Sequence, residues 1–70
     1  MANAVAEMVG KVWKIEVTVG QDVQEDDIVV ILESMKMEIP VMTPASGKVK
    51  EIKCQIGQTV QEGAVLVVIE

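Results

Sequence analysis

Apolar and polar residues alternate through Ile15-Glu16-Val17-Thr18-Val19, and the chain then turns polar from Gln21 to Asp27 except at Val23. A period of two predicts a half-buried strand over 11–19. Ile15, Val17 and Val19 face inward, and Lys14, Glu16 and Thr18 face water. Gly20 ends the strand at a position suited to positive φ. Val23 is expected to plug the turn back into the core. Residues 28–32, Ile-Val-Val-Ile-Leu, are continuously apolar, as in a strand covered on both faces.

The same order then recurs. Residues 10–33 align without a gap on residues 47–70: Gly10-Lys11-Val12 on Gly47-Lys48-Val49, Gly20-Gln21 on Gly57-Gln58, Val23-Gln24-Glu25 on Val60-Gln61-Glu62, and Glu33 on Glu70. The second copy predicts a strand over 48–56, Val60 as a plug and a strand over 65–69. A looser match lays Val5–Val9 over Met42–Ser46. Two copies, each too small to bury its own apolar face, are expected to pack about a pseudo-twofold axis. Pro40 and Pro44 place the connecting strand at an edge or beside a bend, because proline cannot donate to a sheet ladder. No segment has a helical period. The expectation is one all-β domain over 1–70, either two antiparallel sheets facing each other or a flattened barrel.

Composition narrows the chemistry. Half of the residues are apolar, with one aromatic, Trp13, so the core must come from Val, Ile, Leu, Met and Ala. The absence of histidine and the single cysteine, Cys54, exclude His-based triads, structural zinc sites and an internal disulfide. Cys54 takes the inward place of Val17 and reads as a small buried hydrophobe. The net charge of -5, with six lysines and no arginine, argues against nucleic acid as a partner. No apolar run is long enough to span a bilayer. Met1-Ala2-Asn3-Ala4 lacks the charged start of a secretory signal. A cytoplasmic, monomeric protein is the expectation.

Between the copies lies Glu33-Ser34-Met35-Lys36-Met37-Glu38, flanked by two apolar strands that so few residues can join only as a hairpin. Its tip has no Gly, Asn or Asp, the residues that take the positive φ of tight hairpin turns. Such strain is found more often at functional sites than elsewhere. Lys36 has three readings. One is a solvated turn lysine. Another is a Schiff-base or general-base lysine, which needs burial or neighbouring positive charge; a hairpin tip offers water, and Glu33 and Glu38 offer negative charge. The third is a covalent attachment point. An ordinary exposed lysine is neutral roughly once in a few thousand molecules at pH 7, so a separate ligase must bring an activated acyl group and a base. Attachment is the reading the tip favours.

These residues closely resemble the attachment motif of biotinyl domains, the biotin carboxyl carrier proteins. The resemblance extends through Gly10-Lys11-Val12-Trp13, Gly20-Gln21-Asp22-Val23 and Thr43-Pro44-Ala45-Ser46-Gly47, and is nearest to the short, free-standing biotin/lipoyl attachment proteins. It implies a sandwich of two four-stranded antiparallel sheets, with biotin amide-linked to Lys36 by a biotin protein ligase. The domain would then be a non-catalytic swinging arm between a biotin carboxylase and a carboxyltransferase.

Met35 and Met37 are, by the same resemblance, what separates biotin sites from lipoyl sites. Their soft side chains suit docking to more than one protein surface. Glu33, Ser34 and Glu38 are candidates for ligase or partner recognition, and Glu33 has a structural reading too because Glu70 is its repeat mate. Trp13 stands where the second copy has Lys50; it is expected to cap the core or stack over a sheet edge, with partner contact as the alternative. Two departures from the family pattern stand out. Glu7 replaces a common proline, and Gly20–Ile28 is too short for the thumb loop of some acetyl-CoA carboxylase carriers. A lipoyl carrier or dual acceptor is the alternative function, and an unmodified interaction module the third.

Overall fold

The computed structural model describes all residues from Met1 to Glu70 and consists of eight strands. These are β1 (Ala2–Val5), β2 (Gly10–Ile15), β3 (Asp22–Val23), β4 (Ile28–Ser34), β5 (Met37–Met42), β6 (Gly47–Ile52), β7 (Thr59–Val60) and β8 (Val65–Ile69). They form two four-stranded sheets, ordered β1-β8-β6-β3 and β5-β4-β2-β7, with every pairing antiparallel. The offset that aligns 10–33 on 47–70 carries one sheet order onto the other. The main-chain bonds follow it as well. Ala6 N–H donates to Ala64 O and Thr43 N–H to Asp27 O, both at 2.9 Å; Glu16 N–H donates to Val29 O and Lys53 N–H to Leu66 O, both at 2.8 Å.

The two-residue strands exchange between the halves. β3, from the first copy, pairs with β6 of the second, and β7, from the second, pairs with β2 of the first. Val23 and Val60, 3% and 4% exposed, are the expected plugs, and here they also lock each half to the other's sheet. Between the sheets lie Val12, Val29, Val30, Leu32, Val49, Leu66, Val67 and Ile69. Leu32 and Leu66 have no exposure at all, so truncating either would open a cavity at a cost of about 2–5 kcal/mol.

The long strands stop short of their expected ends. β2 and β6 finish at Ile15 and Ile52. Thr18–Gln21 and Gln55–Gln58 are then β-turns closed by Gln21 N–H to Thr18 O and Gln58 N–H to Gln55 O. Gly20 and Gly57 hold φ of 92° and 91° in these turns, as the third residue of a type II turn requires. Val19 and Ile56 precede them and are 64% and 67% exposed rather than inward. Ile28 is likewise 44% exposed at the start of the apolar run.

Register slips between Val12 and Lys14 and between Val49 and Glu51 make Trp13 and Lys50 the extra residues of two equivalent bulges. Thr43, the buried polar residue, donates its hydroxyl to Ala45 O at 2.7 Å and accepts from Ala45 N–H at 3.3 Å.

Cys54 is buried, 5% exposed, and burial pushes its thiol pKa up. The nucleophilic thiolate is therefore scarce and shielded. Iodoacetamide at pH 8 is expected to alkylate Cys54 at the rate at which the domain opens, far more slowly than the same chain in denaturant. Equal rates in the two conditions would show that the thiol is not buried.

Candidate functional site

β4 and β5 form the hairpin, with Leu32 opposite Ile39, Glu33 opposite Glu38 and Ser34 opposite Met37. Only Met35 and Lys36 remain to make the turn. Their φ values are 52° and 64°, the pair of left-handed residues that a type I′ turn needs. Neither is glycine, so each carries a Cβ penalty of roughly 1–2 kcal/mol. The same conformation at Asp26, φ 71°, falls on a residue that tolerates it, and its repeat mate is Gly63, φ 88°. The tip thus holds its strain in the two residues that break the turn rule.

β5 is the edge strand of its sheet, which accommodates Pro40 opposite Ile31. Period two puts Met37 on the same face as Ile39 and Val41. Ile39 is half-buried and Val41 buried, while Met37 is 62% exposed. The inward apolar face therefore runs past the end of the core and into water at Met37. Met35 is 91% exposed, and Lys36 is exposed between them. Ser34 is half-buried on the inner face. Glu33 and Glu38 face each other outward, an unfavourable pairing of like charges. Lys11 stands opposite Glu33 on the other side, in β2.

Chain direction places the tip at one end of a body 31 Å long and 18 Å across. Residues Ala6–Val9 lead from the Val5 end of β1 to Gly10, beside the tip. β8 begins opposite Val5 and finishes opposite Ala2, so it runs away from the tip. Lys36 and Glu70 stand at opposite ends.

Trp13, 39% exposed, lies just past Lys11, where the β2–β7 ladder stops. Lys14 Nζ sits 4.7 Å from the ring centroid, a contact worth about 0.5–1 kcal/mol at an exposed position. With Lys11, Glu33, Ile56 and Gly57, Trp13 walls a hollow of about 260 Å³. A second cleft, of about 240 Å³, lies along β5 beside Val5, Met8, Ile39 and Met42. The sequence did not foreshadow it, because its walls come from β5 and from the segments after β1 and β5, which meet only in the folded chain.

Residues 1–69 match the family described as "Biotin-requiring enzyme", the biotin/lipoyl domain. The chain belongs to this family. The Biotin/lipoyl attachment protein of Bacillus subtilis is 48% identical over 40 residues, 57% of this chain and 55% of that protein. Biotinylated protein TB7.3 of Mycobacterium bovis is 51% identical over 37 residues, 53% of this chain and 52% of that protein. These alignments thus span about half the length of each relative.

Among solved structures, urea carboxylase of Kluyveromyces lactis matches with a TM-score of 0.91 at 37% identity, over 97% of this chain and 6% of that one. A single-chain, multi-domain long-chain acyl-CoA carboxylase matches with a TM-score of 0.85 at 26% identity, over 93% and 7%. The biotin/lipoyl domain described here is therefore similar to a small part of two large carboxylases. Its expected sandwich architecture is the observed one.

Proposed function

We propose that this domain is a biotin carrier loaded at Lys36 and that it catalyses no step itself. The observation that carries the proposal is the tip: an exposed lysine held at φ 64° between two exposed methionines, at the end of a rigid sandwich. An amine in this position has room for an acyl chain and gives a ligase access to it.

In the loading step, the Lys36 amine attacks the carbonyl of an acyl-adenylate supplied by a biotin protein ligase. An amide forms, AMP leaves, and the amine's proton passes to a base of the ligase. Bound biotin supplies a ring nitrogen that takes up a carboxyl group and gives it up again. The sandwich anchors the arm, so that a biotin carboxylase and a carboxyltransferase each meet it at high effective concentration. Met35 and Met37 present adaptable apolar surface to these proteins, while Glu33, Ser34 and Glu38 shape the approach to the lysine.

Intact mass after co-expression with a biotin protein ligase is expected to show one biotinyl group, and Lys36→Ala to show none. An unmodified parent chain would refute the assignment. The name of the Bacillus subtilis relative supports a second reading, in which Lys36 also accepts lipoate. Incubation with a lipoate ligase tests it, and lipoylation without biotinylation would reverse the order of the two.

A further inference from the structure

None of the five methionines lies in the core. Met35, Met1, Met37, Met42 and Met8 are 91%, 87%, 62%, 51% and 41% exposed, and the core is filled with valine, leucine, isoleucine, alanine and Cys54. Methionine ordinarily fills irregular gaps in cores; here two of the three most exposed copies flank Lys36. We propose that Met35 and Met37 form a reversible oxidation site, at which peroxide switches off docking of the tip onto biotin carboxylase and leaves the fold intact. This inference rests on the carrier reading above.

The chemistry is a two-electron oxidation. The thioether sulfur attacks one oxygen of hydrogen peroxide, an S–O bond forms, the O–O bond breaks, and the peroxide is reduced to water. Methionine sulfoxide remains, and a methionine sulfoxide reductase with a thiol reductant restores the thioether. Susceptibility follows exposure, so Met35 reacts first and Met37 ahead of Met42 and Met8. Met1 is nearly as open, but it lies at the end opposite the tip, with its sulfur 3.4 Å from Lys50 Nζ.

The product carries a strong S–O dipole in place of an apolar sulfur. A partner that covers the tip must strip water from that dipole without offering it a donor. Met37 continues the inner apolar face, so its change in polarity falls where the tip is most suited to an apolar contact. No buried side chain changes, and the sandwich keeps its stability.

Peroxide treatment precedes biotin loading, because the thioether in biotin's own ring is open to the same reaction. The treated apo-domain is mapped by peptide mass, melted, loaded by biotin protein ligase until intact mass shows completion, and offered to biotin carboxylase. The expected results are oxygen added at Met35 and Met37 before Met42 and Met8, and a Tm within about 2 °C of the untreated chain. The kcat/KM for the domain falls roughly tenfold, with free biotin turned over as before. The reductase restores the rate, and the variant Met35→Leu/Met37→Leu gives the same rate before and after peroxide.

Failure of the oxidised domain to load, beside normal loading of the untreated one, overturns the proposal as stated, because the switch would then act at the ligase and not at biotin carboxylase. Equal carboxylation of treated and untreated domains overturns it, as does an equal loss in the double variant or a large drop in Tm. An untreated domain that the ligase never loads removes the carrier reading as well, whereas an indifferent oxidised domain beside a working untreated one removes this inference alone.

Discussion

A chain carrying Met35→Asn and Lys36→Gly is expected to melt higher than the parent and to take up no biotin at all. Both replaced residues hold left-handed φ, 52° and 64°, and Asn-Gly is the pair a type I′ turn prefers. Glycine removes the Cβ penalty at position 36, partly offset by its greater freedom in the unfolded chain, and asparagine only eases the one at position 35; the net gain is about 1–2 kcal/mol, or roughly 5–10 °C in a domain of this size. The amine proposed as the acceptor is gone, so biotinylation is expected to fall to zero whatever happens to stability. Thermal melts and intact mass read the two effects separately. A lower melting temperature would mean that Met35 and Lys36 contribute contacts worth more than the strain they carry.

The second large effect concerns Gly47, at the end opposite the tip. A Cβ there would lie 2.5 Å from Glu70 O and 2.9 Å from Ile69 Cγ2, on a backbone with φ of 154°. Glu70 O already accepts from Lys48 N–H at 3.1 Å, and Glu70 N–H donates to Lys48 O at 2.9 Å. The carbonyl cannot withdraw without breaking the end of the β6–β8 ladder. Gly47→Ala is therefore expected to cost about 2–4 kcal/mol, lowering Tm by roughly 10–25 °C. Its repeat mate gives the comparison. At Gly10 the nearest atoms to a Cβ are Glu33 O at 3.2 Å and Leu32 Cβ at 3.3 Å, and φ is not left-handed. Gly10→Ala is expected to cost about 1 kcal/mol. Equal melting temperatures for the two variants would remove the distinction.

The repeat carried most of what was legible in the chain. Aligning 10–33 on 47–70 pairs β2, β3 and β4 with β6, β7 and β8, and Val12, Val17, Val23, Leu32 and their mates are all buried. The hairpin was legible for a different reason: two apolar strands left no room for anything but a two-residue turn, and the absence of Gly, Asn and Asp exposed its strain. The ends of β2 and β6 were not legible from alternation, because Val19 and Ile56 continue the apolar rhythm after the backbone has begun to turn. The glycines after them mark that turn, and a type II turn sends the preceding side chain outward. The bulge at Trp13 was not read from the sequence, although the inward positions Val12 and Ile15 lie three residues apart rather than two. Nothing local in Asp22-Val23 or Thr59-Val60 signals that each joins the opposite half's sheet, since pairing partners across the chain leave no mark on two residues.

That exchange of short strands also governs timing. β8 is an interior strand of the sheet that β1 begins, and Ala2 finds its partner only in Ile69. β2 waits likewise for Val60 opposite Gly10. Contacts this far apart in sequence must bear their loop-closure entropy before they stabilise anything. On a ribosome, the hairpin bearing Lys36 would emerge well before the sandwich that holds it rigid. On the carrier proposal, a ligase that reads the tip in its folded shape would act only after β8 has been made, so loading would follow the completed fold and would serve as a report of it.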